Sequence, residues 1–284
     1  MTGESAQVEV PEKDVTGEPL LRLSGVSAHF GGVRALADVS FAVQSGQFTG
    51  IVGPNGAGKT TLLNAVNGLI RTACSGSIQL SGVEILRYSP ARIAQLGICR
   101  SFQHPPILEG ATVMENLLCG THLRCGYGMV REIFNPRFVR RVEARLRDEA
   151  MEVLEIVGLA DVADRPASEL PYAARKLADV ARALISRPTL LLLDEPTSGL
   201  GREDQGVVLK MLSQLRSRGD VTVLLIEHHM DLVRQVTDQV VGMQAGTALM
   251  TGTPSQVLDS EAFREAIVGV SASHKRTNGR GSMK

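Results

Sequence analysis

The sequence has no tryptophan and few other aromatics, three Tyr and seven Phe in 284 residues. Single-stranded nucleic acid is held largely by stacking bases on aromatic rings, so that chemistry has few platforms here. A basic surplus is missing too. Thirty Lys+Arg against thirty Asp+Glu leave zero net charge, without the electrostatic footprint of a duplex binder. The four cysteines, Cys74, Cys99, Cys119 and Cys125, form no CxxC pair. Zinc-ribbon and dithiol motifs are thereby excluded, and the residues read as free thiols in a reducing compartment. No apolar run approaches the roughly 18 residues of a membrane span. The N-terminal residues lack the positive start and apolar stretch of a secretory signal. A cytosolic chain without a nucleic-acid partner is expected, with any membrane role coming through another protein.

Glycine is plentiful, 29 residues or about 10% against a usual 7% or so, which directs attention to turns. Residues 1–18 carry five acids and one Lys, the signature of a disordered acidic tail. From about 270 the chain is small, polar and basic, and a flexible tail is expected there as well. Between them, 19–269 reads as one domain. The runs Phe48–Val52, Leu190–Leu193 and Val221–Ile226 are short, aliphatic and strand-like, separated by segments of helical period. That alternation predicts an α/β fold with a mostly parallel sheet. Over Pro136–Val157 apolar residues recur every three or four positions and stop at Gly158, predicting an amphipathic helix within a helical insertion over about 95–185.

One motif carries specific chemistry. Gly53-Pro54-Asn55-Gly56-Ala57-Gly58-Lys59-Thr60-Thr61 follows a strand and opens a helix, the G-x-x-x-x-G-K-T pattern of a P-loop. Glycines allow backbone N–H groups to turn inward around phosphates, and the helix start adds the positive end of its dipole. Lys59 reaches the β- and γ-phosphates of ATP as a point charge, and Thr60 offers a hydroxyl to Mg²⁺. Such a loop needs an acid at the end of a neighbouring strand, and Leu190–Leu193 delivers Asp194 and Glu195. Asp194 is expected to hold Mg²⁺ through water, and Glu195 to act as general base on the attacking water. A third strand ends in Glu227-His228-His229, placing His228 at the same edge.

With these motifs in this order, the chain resembles the ATP-binding subunits of ABC transporters, most closely those of branched-chain (hydrophobic) amino acid importers. Phe30-Gly-Gly-Val-Arg-Ala-Leu36, Arg100-Ser-Phe-Gln-His104, Thr112-Val-Met-Glu-Asn-Leu117 and Leu225-Ile-Glu-His228 carry that resemblance. It implies a P-loop fold with a mostly parallel core sheet, antiparallel N-terminal strands and a helical subdomain. It also implies MgATP hydrolysis coupled to solute uptake through separate permeases. The implied partners are those integral membrane subunits, a second ATPase chain (a sister or a copy of this one) and an extracytoplasmic solute-binding protein. The implied location is the cytoplasmic face of the inner membrane. Phe30 would stack on adenine, Gln103 would contact Mg²⁺ or water, and His228 would be the switch histidine. Separately, Phe102, His104, Pro105, Pro106, Ile107 and Leu108, apolar without helical or strand period, are expected to form the groove for a permease helix. Two elements depart from the family. The signature, which acts on the partner's ATP, reads Leu170-Pro171-Tyr172-Ala173-Ala174 where Leu-Ser-Gly-Gly-Gln or Leu-Ala-Tyr-Gly is usual, and Gly201 stands where an acidic or amide side chain is common. Pro171 lacks the serine hydroxyl, and Ala173 is expected to put a methyl group in the path of a phosphate.

Overall fold

The computed structural model describes residues 17–101, 107–121 and 136–266, with backbone alone for 136–140. Both terminal tails, Gln103 and most of the expected permease groove therefore lie outside the described residues.

The chain opens with a long antiparallel pair, β1 (Leu21–Phe30) and β2 (Val33–Val43), and then enters the central sheet through β3 (Phe48–Val52). The P-loop connects β3 to α1 (Lys59–Val66). Strands β4 (Cys74–Leu80) and β5 (Val83–Glu84) return to the first pair and complete a four-stranded antiparallel sheet of order β2-β1-β4-β5. A short α2 (Pro90–Gln95), capped by Ser89, leads into β6 (Ile98–Arg100). Downstream of the helical segment come β7 (Leu190–Asp194), β8 (Thr222–Ile226), β9 (Gln239–Gln244) and β10 (Thr247–Gly252). The second sheet has the order β10-β9-β3-β8-β7-β6 and is parallel except for the β9–β10 hairpin.

Parallel strands covered on both faces need apolar side chains at every position. In β7, Leu190 and Leu192 join one core while Leu191 and Leu193 join the other; in β8, Leu224 and Ile226 oppose Val223 and Leu225 in the same way. The helical insertion begins later than the sequence suggested. Residues 98–100 pair with Leu190–Leu192 as the edge strand of the central sheet, so a boundary at 95 cuts into the core.

The insertion contains α3 (Val113–Cys119), α4 (Pro136–Val157) and α5 (Tyr172–Leu184). Thr112 and Glu115 close a capping box at the start of α3, and Gly158 follows α4 at φ 74°. Entry and exit of the insertion are stitched together by backbone hydrogen bonds. Val113 N donates to Arg165 O at 3.0 Å, Met114 N to Ala163 O at 2.9 Å, Ala167 N to Ala111 O at 2.9 Å and Ser168 N to Glu109 O at 3.3 Å. Helices α6 (Arg202–Arg218), α7 (Met230–Val236) and α8 (Pro254–Leu258) cover the remaining strands. No helix among the described residues is long and apolar enough to cross a membrane.

Candidate functional site: the nucleotide cleft

The carboxyl ends of β3, β7 and β8 lie side by side, because β3 pairs with β8 and β8 with β7 in parallel register. That adjacency brings the P-loop, Asp194–Glu195 and His228 to one edge, although up to 175 residues separate them in sequence. An open cleft of about 400 Å³ lies here, bounded by Asn55–Thr61, Glu195, Val33–Ala35, Ala245 and Gly246. Its size suits a small-molecule ligand.

The loop must be glycine at two points for different reasons. At Gly53 (φ 154°) a Cβ would sit 2.2 Å from Met243 O, and at Gly58 (φ 97°) 2.6 Å from Ala35 O. Both contacts are with backbone, which cannot swing aside. The loop also rests on the β9–β10 turn. Gly246 N donates to Ala57 O at 3.0 Å, while Ala37 N of β2 donates to Gly246 O at 2.8 Å. Lys59 is buried, its Nζ donating to Gly53 O at 2.9 Å and Pro54 O at 3.0 Å. Burial pushes its ammonium below the usual 10.5, and the nearby carboxylates of Glu195 and Asp194 oppose that shift.

Asp194 ends β7 at 5% exposure. Glu195, the next residue, turns back with φ 51°, a left-handed conformation that a non-glycine residue adopts only when its surroundings impose it. Its Oε1 lies 2.8 Å from His228 Nε2, and both side chains remain partly open to solvent. Acid and imidazole are thus a hydrogen-bonded pair facing the P-loop. Thr60 lines the cleft and Asp194 ends the neighbouring strand β7; both offer oxygen, a chemistry that would suit a hard cation such as Mg²⁺ better than a soft metal.

Phe30 is exposed at the end of β1, directly opposite Val33, which lines the cleft; Phe30 itself is not part of the wall. Of the expected signature, Leu170 is buried, Pro171 caps α5 without a side-chain hydrogen bond, Tyr172 is exposed and Ala174 is half-buried. Ala173 differs from the sequence reading. It is 8% exposed and packs in the core of the helical segment, so its methyl is largely absorbed inward. Pro171 is exposed and carries no hydroxyl. Gly201 caps α6 with ordinary φ −68° and likewise offers no side-chain acceptor.

Sequence reasoning gave no role to Arg100. Its Nη2 donates to Asp194 Oδ2 at 2.6 Å and its Nη1 to Asn64 Oδ1 at 2.6 Å, joining β6, β7 and α1. Nor did it single out Lys176 or Glu227. The signal for Lys176 was a lone cation on the inner stripe of α5, among Ala173, Leu177, Val180 and Ala181.

The profile of the ABC transporter family matches residues 36–198, more than half of the chain. The chain belongs to the ABC transporter family. It is an ATP-binding subunit and ATP hydrolase of that family. Among its relatives is the high-affinity branched-chain amino acid transport ATP-binding protein BraF of Pseudomonas aeruginosa, 36% identical over 88% of this chain and 98% of that protein. The corresponding LivG of Escherichia coli K12 is 33% identical over 89% and 98%. A crystal structure of the ADP conformation of an ATP-binding cassette of an ABC transporter superimposes with a TM-score of 0.76 at 31% identity. That match covers 89% of this cassette and the whole of the other chain.

Proposed function

We propose that the chain is the ATP-hydrolysing subunit of an importer for branched-chain or other apolar amino acids. It works at the cytoplasmic face of the inner membrane on separate permease subunits, fed by a solute-binding protein outside. The cassette is a single domain over 19–269 with a tail at each end. The reading is carried by the Glu195–His228 pair, 2.8 Å apart beside a complete P-loop at one sheet edge. The cargo class is supported by the names of the BraF and LivG relatives.

In this reading the P-loop residues 53–61 bind the phosphates, Lys59 offsets their charge, and Phe30 covers the adenine from the β1–β2 turn. Thr60, Gln103 and, through water, Asp194 would hold Mg²⁺, which when bound would offset charge on the phosphates. Glu195 accepts a proton from the attacking water. His228, on its Nε2 side, fixes the rotamer of that carboxylate. Leu170–Ala174 present the start of α5 to nucleotide held by a second ATPase chain. Without a hydroxyl at Pro171 that half-site lacks one donor, which favours a sister chain with a complete signature over a copy of this one.

The test is transport in membrane vesicles carrying the chain with its permeases. ATP-dependent uptake of labelled leucine should occur with the parent and vanish with Glu195→Gln, while nucleotide still binds. Uptake by Glu195→Gln at the parental rate refutes the base assignment; competition by sugars but not by apolar amino acids refutes the cargo.

A further inference from the structure

The turn from Glu195 to Ser198 is gripped from opposite sides by two buried charges. On one side, Lys176 of α5 is 5% exposed and donates from Nζ to Glu195 O at 3.0 Å and Ser198 O at 2.7 Å. On the other, Glu227 at the end of β8 is 1% exposed. Its Oε1 accepts from Thr197 N at 3.0 Å and from Thr197 Oγ1 at 2.5 Å, and its Oε2 accepts from His228 N at 2.9 Å. The cation therefore binds the carbonyls of the turn and the anion its amide and hydroxyl. His229 joins the anionic side, its Nδ1 lying 2.9 Å from Thr197 Oγ1.

Two buried ions of opposite sign are costly to place, and in some proteins such groups fix a specific geometry. Here that geometry belongs to Glu195, whose backbone is held at φ 51°. The contacts that hold it include Lys176 and Ser198 N on its carbonyl, the latter at 3.1 Å, Ile226 O accepting from its N–H at 3.0 Å, and His228 on its carboxylate. Lys176 also lies 5.5 Å from the ring centre of Tyr172, an exposed residue of the signature. A small cavity of about 10 Å³ beside Lys176 is also lined by Ser101, Asp194 and Pro196, so the lysine lies against both acids' strand end.

We propose that Lys176 and Glu227 are positioning residues that clamp the 195–198 turn, set the Glu195–His228 pair, and link the signature helix to the hydrolytic carboxylate of the same chain. The proposal rests on the base role of Glu195 given above. Burial lowers the Lys176 ammonium below its usual 10.5, opposed by Glu227, Glu195 and Asp194, in keeping with a cation balanced by these acids.

The experiment uses the full chain assembled with its permeases and measures kcat, KM for ATP and nucleotide affinity. Lys176→Met keeps the apolar stem and removes charge and donors; Glu227→Gln keeps the shape and removes the charge. Each should lower kcat about tenfold to a hundredfold, the scale for a sub-ångström to 1 Å misplacement of a reacting group, with KM and affinity within about twofold. In Lys176→Ala, added ethylammonium should restore part of kcat where n-propanol does not. In a Glu195→Gln background, Lys176→Met should cause no further loss. Parental kcat in Lys176→Met, equal losses in kcat and affinity, or rescue by the neutral alcohol overturns the clamp. Glu195→Gln alone separates the two readings. If it hydrolyses ATP at the parental rate, the base assignment fails. If it is inactive while Lys176→Met is fully active, the clamp alone fails.

Discussion

Replacing Arg100 by Met should destabilise the cassette by about 3 kcal/mol, and the size follows from what the change leaves behind. Arg100 and Asp194 form an ion pair at 2.6 Å with side chains only 6% and 5% exposed. Removing one partner of a buried pair costs about 3–5 kcal/mol, because the other charge stays in a poorly solvated place. Two features place this case at the lower end. Lys59 and Lys176 both sense Asp194 through space and screen the orphaned carboxylate, although their hydrogen bonds are committed to backbone carbonyls. Asn64, the other acceptor, is half-buried and can turn to water. At roughly 2–4 °C per kcal/mol for a domain of this size, the melting temperature should fall by about 6–12 °C. The companion variant is decisive. Adding Asp194→Asn to Arg100→Met removes the stranded charge and should recover at least half of the loss, a coupling measurable by a double-mutant cycle in urea. A loss below about 1 kcal/mol for Arg100→Met, or additive losses in the double variant, would show that the pair is not what holds β6 to β7 and α1.

Three further outcomes can be checked separately. Lys59→Ala should abolish tight MgATP binding by titration calorimetry, since Lys59 is the buried cation of the cradle; parental affinity would sink the P-loop reading. Pro171→Ser should stabilise the start of α5 by about 1 kcal/mol and raise turnover. Ala173→Gly, which empties a core position, should instead cost about 1 kcal/mol and leave turnover unchanged. Faster turnover from Ala173→Gly would mean that its methyl does obstruct the phosphate. For Glu84, burial pushes the carboxyl up, but hydrogen bonds from Ser77 Oγ, Leu86 N and Ile78 N outweigh it and leave it below the usual 4.5. A depressed carboxylate contributes stability above about pH 4.5 that is lost as the pH falls through its folded value. Glu84→Gln should therefore flatten the acid limb of the melting-temperature profile, and an unchanged limb would refute the sign.

The P-loop was legible because its chemistry is local: nine consecutive residues hold glycines, lysine and hydroxyls in the order that a phosphate requires. Asp194, Glu195 and His228 were legible for a related reason, since each lies at or within two residues of the end of a buried strand whose aliphatic run announces where it ends. Arg100, Lys176 and Glu227 were not, because their partners are set by strand order and helix packing. Arg100 meets Asp194 only because β6 is the neighbour of β7. The boundary near 95 was misplaced for the same reason: a three-residue strand is too short to show a period. Ala173 marks the opposite limit. Its departure from glycine was visible in the sequence, but which way the methyl points depends on where α5 is buried.

The stitching of residues 109–114 to 163–168 makes the helical segment mechanically a closed loop. A push delivered at Ile107 and Leu108 cannot be dissipated by stretching α3 away from the chain that returns toward Leu170, because the two are riveted at four points. Ile107–Leu108 and Leu170–Tyr172 both leave the seam at its Glu109–Ser168 end, so a displacement of one segment there is passed to the other. Removing the seam would leave an intact polypeptide with nothing to pull on.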